Sequence, residues 1–126
     1  GDKKTYQMNY SNRSESAIEL DLDIAEGADF VMVKPAGMYL DVIADFKNMT
    51  SLPVAAYHVS GEYAMLKAAD AAGYIDFEMA LHEVLTSIKR AGAAIIFTYG
   101  ALEIADYLKA SWLKFKLFKR FYIHVF

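Results

Sequence analysis

Three short apolar segments, spaced by helical patterns, limit this chain to very few folds. They are Asp29–Lys34, Leu52–Val59 and Ala93–Tyr99. Each is rich in Val, Ile, Ala or aromatic residues, is flanked by Gly or Pro, and does not alternate apolar with polar. Strands of that kind belong to parallel sheets covered by helices. Between them the spacing predicts helices. Asn12–Glu26 has a Ser/Asn-rich start and stops at Gly27. Tyr39–Asn48 places Leu40, Val42, Ile43 and Phe46 at helical intervals. Gly61–Ala72 stops at Gly73. Asp76–Ala91 opens on an Asp cap, carries a Leu81, Val84, Leu85, Ile88 stripe and stops at Gly92. A last helix starts near Ala101. Alternation of this kind predicts an α/β chain built of βαβ units on a parallel sheet. Three strands alone leave two edges open and half the faces uncovered. The natural reading is about three consecutive βα units of a (β/α)8 TIM barrel. A whole barrel takes ~250 residues, so the 126 residues here amount to about half of one.

Lys34 ends the run Phe30-Val31-Met32-Val33-Lys34-Pro35. A lysine there projects a long amine from the C-terminal edge of a sheet, where ligands bind in α/β folds. A partly buried amine loses its charge more readily and becomes a nucleophile toward carbonyls. The plain alternative is a surface lysine at a strand end. Ser60-Gly61-Glu62 reads as a helix cap with an acid in the first turn, and Tyr99 as a packing aromatic. His58 has no second ligand at metal spacing and reads as a packed or solvent-bound residue. Asp21, Asp23 and Glu26 read as a solvated helix face.

Charge is distributed unevenly. Residues 1–108 carry 8 Lys/Arg and 16 Asp/Glu, whereas residues 109–126 carry 5 Lys/Arg and no acid. The acidic body argues against nucleic-acid binding. No apolar run reaches the ~18 residues of a membrane span. Cys is absent, so thiolate metal sites and disulfides are excluded within these residues. The opening Gly1-Asp2-Lys3-Lys4 reads like the interior of a longer protein.

Five motifs then occur in one order: Gly1-Asp2-Lys3-Lys4-Thr5-Tyr6-Gln7-Met8-Asn9; Met32-Val33-Lys34-Pro35; Ala56 through Met65, reading AYHVSGEYAM; Lys89-Arg90-Ala91-Gly92-Ala93; and Phe97-Thr98-Tyr99. Together they resemble the C-terminal part of the δ-aminolevulinic acid dehydratase, or porphobilinogen synthase, family over residues 1 to about 108. Met32 through Gly37 is closer to the bacterial form of the motif. The resemblance implies a TIM barrel hydro-lyase of tetrapyrrole biosynthesis. It would condense two 5-aminolevulinate molecules to porphobilinogen with loss of two waters. It implies that Lys34 forms a Schiff base with the propionate-side substrate and that Ser60 and Tyr99 hold that substrate's carboxylate. Tyr57 would be a wall of the same pocket, and Lys3 and Gln7 would contact the second substrate's carboxylate. Two hydroxyls can hold a carboxylate by hydrogen bonds, and an iminium is an electron sink. The resemblance further implies magnesium or zinc in the complete enzyme, Glu19 as a carboxylate near an allosteric magnesium, and a homo-oligomer, commonly an octamer. The compartment it implies is cytoplasmic, or plastid in photosynthetic eukaryotes.

The chain departs from the family pattern. The family's other essential lysine, its catalytic-metal ligands and most of its lid fall before Gly1, so this chain alone is expected to be inactive. Ala94 stands where the family usually has Asp. Residues 109–126 read as a basic-aromatic tail unlike the family. The tail could be a membrane-surface segment, a partner or subunit contact, or a divergent end. The apolar run Phe121–Phe126 would be an aggregation hazard if exposed. Two other functional readings compete. One is a different Schiff-base barrel aldolase, which leaves the Ser60 and Tyr99 motifs unexplained. The other is a non-catalytic remnant or partner-binding fragment.

Overall fold

The computed structural model describes residues 8–122, with side chains described through Trp112. The elements run α1 (Arg13–Ala25), β1 (Val31–Val33), a 3-10 turn (Gly37–Tyr39), α2 (Leu40–Met49), β2 (Val54–His58), α3 (Ser60–Ala71), α4 (Phe77–Ala91), β3 (Ile95–Thr98) and α5 (Ala101–Tyr122). The three strands form one parallel sheet in the order β1-β2-β3. Val33 pairs with Ala56 and Ala56 with Ile96. Crossovers through α2, and through α3 and α4, join neighbouring parallel strands, as the helix–strand alternation predicts.

Each strand is shorter than its apolar run, because the backbone groups at the ends are committed elsewhere. Leu52 donates its N–H to Thr50 Oγ1 (3.1 Å), not to a neighbouring strand. Ala93 donates to the Ile88 carbonyl at the end of α4 (3.4 Å). The ladder between β2 and β3 opens one residue later, where Ala94 donates to the Val54 carbonyl (2.8 Å). The 3-10 turn before α2 was hidden by the continuous apolar spacing; Tyr39 N–H closes it onto the Ala36 carbonyl (3.2 Å).

Helix ends follow the chemistry of their caps. Asp76 Oδ1 accepts the Met79 N–H (2.8 Å) at the start of α4, and Gly92, at φ +128°, ends it. Ser60 is not the cap expected of it. Val59 takes that position, and Ser60 is the first helical residue of α3.

Helices cover one face of the sheet. On that face Val31, Val33, Val54 and Ala56 pack with Val42, Ile43 and Phe46 of α2 and Leu81, Leu85 and Ile88 of α4. Leu20 carries α1 into the same core, and Arg13 clips α1 to α2 with two bonds to Asp45 (2.7 and 2.6 Å). That guanidinium holds the Asp45 carboxyl below its usual range. Gly100 permits the start of α5. A Cβ there would stand 2.6 Å from Leu81 Cδ2, so only glycine lets the chain approach α4 so closely. Among the described residues the other sheet face is bare, with Met32, Ile95 and Phe97 each 38–46% exposed.

Leu81 is wholly buried at the point where α4, α5 and the sheet converge. Leu81→Ala is expected to lower unfolding stability by about 2–5 kcal/mol, from lost burial plus a residual cavity. Denaturant titration followed by circular dichroism measures it.

Candidate active site

Parallel neighbours in register share a face, so the ladder decides which side chains meet. Met32, Ala55 and Ile95 form one level of the bare face. Two residues further along, Tyr57 pairs with Phe97, and Lys34 follows β1 at that same level. Tyr99 lies just past β3. Met32, Lys34, Tyr57, Phe97, Thr98 and Tyr99 together line an open concavity of about 500 Å³ at the C-terminal edge of the sheet. This is the edge at which α/β proteins assemble their sites, because the loops that leave it are free to vary.

Lys34 is exposed rather than partly buried, and among the described residues it has no hydrogen-bond or ion-pair partner. The reason is the bare face: among the described residues the walls beside it are those of the sheet itself. Its peptide bond to Pro35 is cis.

Tyr57 and Tyr99 stack with ring centroids 6.3 Å apart, and the Tyr57 hydroxyl donates to the Tyr99 oxygen (3.2 Å). This bond, with some desolvation, pushes the Tyr57 phenol up from its ordinary value. Tyr57 therefore stays a neutral donor at physiological pH. The Tyr99 O–H, whose oxygen accepts from Tyr57, can donate to an acceptor placed in the concavity, such as a carboxylate. Phe97 meets Tyr57 edge-on at 6.4 Å, and Tyr99 leans on Tyr63 at 6.2 Å. Tyr63 in turn donates to Glu103 Oε1 (2.7 Å), which ties the start of α3 to the start of α5. Lys67 lies 3.9 Å from the same carboxylate oxygen and 3.5 Å from the centre of the Phe77 ring.

The other predicted residues fare differently. Ser60 is exposed on the first turn of α3, at the same sheet edge but outside the lining of the concavity. The hydroxyl bonded to Tyr99 is that of Tyr57. Lys3 and Gln7 lie outside the described residues, as does part of the 109–126 tail. Glu19 is exposed on α1. Among the described residues no group of three His, Asp or Glu side chains is gathered as a metal site, and no described helix is long and apolar enough to cross a membrane.

Three features go further than the sequence reading. Phe97 and Met32 enter the lining only through strand register. His58, read as a packed residue, is 1% exposed with its Nδ1 3.0 Å from Thr98 Oγ1, which also accepts the Gly100 N–H (3.1 Å). Glu62 is buried and accepts three backbone N–H bonds, from Gly37 (2.7 Å), Val59 (2.9 Å) and Ala36 (3.3 Å). Its position two residues after Ser60 signalled a first-turn acid, and nothing local signalled its distant partners.

With this geometry the comparisons become specific. The family model for delta-aminolevulinic acid dehydratase matches residues 1–107. The chain belongs to that family. It is 57% identical to the delta-aminolevulinic acid dehydratase of Escherichia coli over 106 residues, 84% of this chain and 33% of that one. It is 56% identical to the Synechococcus elongatus protein of the same name, covering 86% of this chain and 33% of the relative. A chloroplastic form from Physcomitrium patens is also 56% identical, over 87% of this chain and 26% of the relative. A crystal structure of delta-aminolevulinic acid dehydratase (porphobilinogen synthase) from Toxoplasma gondii, in complex with the reaction product porphobilinogen, superposes with a TM-score of 0.82 at 53% identity. It covers 85% of this chain and 30% of that one. This chain thus spans about a third of the length of the relatives it matches. The dehydratase family has a barrel fold, and the parallel sheet with its crossover helices is part of one. In that setting the bare face is the inner surface of the barrel.

Burial depresses the His58 imidazole below its ordinary range, with Glu62 opposing the shift only in part. The folded state therefore binds this proton less readily than the unfolded state. Its neutral form is fully favoured above the unfolded value of about 6.5, and stability is lost as pH falls from there toward the depressed folded value. Thermal melts from pH 8 to 5 are expected to show falling stability below about pH 6.5, with a shallower slope in His58→Gln.

Proposed function

We propose that this segment serves a porphobilinogen synthase, forming one wall of a pocket in which two 5-aminolevulinate molecules condense. The observation that carries the reading is the meeting of Lys34, Tyr57 and Tyr99 in one concavity at the sheet's C-terminal edge. The names of the relatives and the product bound in the Toxoplasma structure support it.

Lys34 is the nucleophile. Its neutral amine adds to the ketone of the first substrate, and loss of water leaves an imine between Nζ and the former carbonyl carbon. Protonated, that imine withdraws electrons from the adjacent carbon, which can then give up a proton and form a bond to the second substrate. Tyr99, its oxygen already bonded by Tyr57, donates to the first substrate's carboxylate. Ser60 reaches that carboxylate from the first turn of α3, and Tyr57 is the wall beside it. Lys3 and Gln7 serve the second carboxylate. The overall condensation releases two waters. Magnesium or zinc belongs to this reading through the family. The described residues do not fit a metal, since they gather no three-ligand site and Glu19 stands exposed on α1, so no step here runs through one. Assembly into a homo-oligomer is part of the same reading. So is a cytoplasmic location, with the plastid as the alternative suggested by the chloroplastic relative.

Among the described residues the concavity has one wall, and the isolated 126 residues are expected to give no porphobilinogen. In the full-length enzyme carrying this segment, borohydride with labelled 5-aminolevulinate is expected to fix label on the peptide that holds Lys34. Absence of label there would remove the assignment. Lys34→Arg is expected to lower turnover by at least a thousandfold with an unchanged circular dichroism spectrum, because arginine keeps the charge and forms no imine. Residual turnover above that level counts against Lys34 as the nucleophile.

A further inference from the structure

We propose that Glu62 is a positioning residue for Lys34, a role that rests on the Schiff-base reading of that lysine. The Glu62 carboxylate joins the two loops that carry the reacting groups. Its Oε1 accepts the Gly37 N–H (2.7 Å), three residues after Lys34. Its Oε2 accepts the Val59 N–H (2.9 Å), one residue before Ser60, and the Ala36 N–H (3.3 Å). The Ala36 N–H also reaches the Tyr57 carbonyl (3.0 Å). One side chain thus fixes the turn after Lys34 against the end of β2, which holds Tyr57, and the first turn of α3, which holds Ser60.

The chemistry suits a carboxylate and no other side chain. Lys34–Gly37 and Val59–Ser60 are the segments by which the chain leaves adjacent parallel strands, where the backbone ladder has ended. Of their N–H groups only that of Ala36 also reaches a strand carbonyl, that of Tyr57, and a group buried to 7% exposure with acceptors only is what serves all three. A glutamine of the same shape has one acceptor oxygen and an NH2 that would face a backbone donor. Gly37 adds a second line of support. A Cβ at that position would stand 2.7 Å from Glu62 Oε1, so the absence of a side chain is what lets the carboxylate seat. Lys34 itself is exposed and has no partner of its own among the described residues. Its aim depends on its backbone, and hence on this anchor. A misplacement of an attacking group by about 1 Å is enough to slow a reaction roughly a hundredfold.

The test uses the full-length enzyme carrying this segment, in wild-type form and as Glu62→Gln and Gly37→Ala. Three quantities are read per folded molecule: kcat, KM, and the rate at which borohydride traps labelled 5-aminolevulinate on Lys34. Thermal melting gives the folded fraction. Expected are a tenfold or greater fall in kcat, a matching fall in the trapping rate at Lys34, and less than a threefold change in KM. Gly37→Ala tests the same contact from the opposite side and decides the matter if Glu62→Gln does not fold. A smaller loss of trapping rate in the folded variants overturns the proposal, even where melting temperature drops, because Glu62 would then be a stability element only. Failure of both variants to fold overturns it in the same sense. Wild-type enzyme that leaves Lys34 unlabelled would instead refute the Schiff-base reading, which separates the two failures.

Discussion

The parallel ladder centred on β2 is the constraint on which the rest depends. β2 bonds to β1 on one side and β3 on the other, with Ala55 and Ala56 shared by both registers. Parallel pairing aligns the three C-terminal strand ends, so the loops bearing Lys34, Ser60 and Tyr99 leave from one edge. It also makes Met32, Tyr57 and Phe97 neighbours. A shift of one residue in either pairing would turn these side chains into the helical layer. The small residues Ala55 and Ala56, both fully buried, let neighbouring side chains close over the middle of the strand.

Covering only one sheet face has opposite consequences for stability and for chemistry. On the covered side, aliphatic residues of α2 and α4 complete a core with the strands. On the open side, Met32, Ile95, Phe97 and Tyr99 remain substantially exposed. These residues have the composition of a buried surface, and the family comparison supplies the reason, since the inner surface of a barrel is packed by other strands. The exposure of Lys34 has the same origin.

Beyond the ladder, polar side chains hold the site edge together. Glu62 fastens the loop after β1 to the loop after β2. Thr98 Oγ1 accepts the Gly100 N–H and meets His58, fastening the end of β3 to β2. Tyr63 and Glu103 fasten α3 to α5. Each link spans adjacent units, so the site edge is cross-braced where the backbone ladder ends. None of these three links was visible in the sequence, because the partners lie 26, 40 and 40 positions apart and neither spacing nor composition pairs them.

The sequence by itself determined the element types and their order. Short both-face apolar runs admit strands and little else, Asp76 and the terminal glycines mark helix ends by local backbone chemistry, and the Lys34, Ser60 and Tyr99 motifs stand out as local strings. Only the tertiary structure decided that Tyr57 bonds to Tyr99, that Val59 is the cap of α3, that Phe97 joins the lining, and that Glu62 binds the Lys34 loop. The physical reason is one of range. Strand and helix preferences are set by a residue and its near neighbours along the chain. Register, burial and hydrogen bonds across strands are set by which segments pack together.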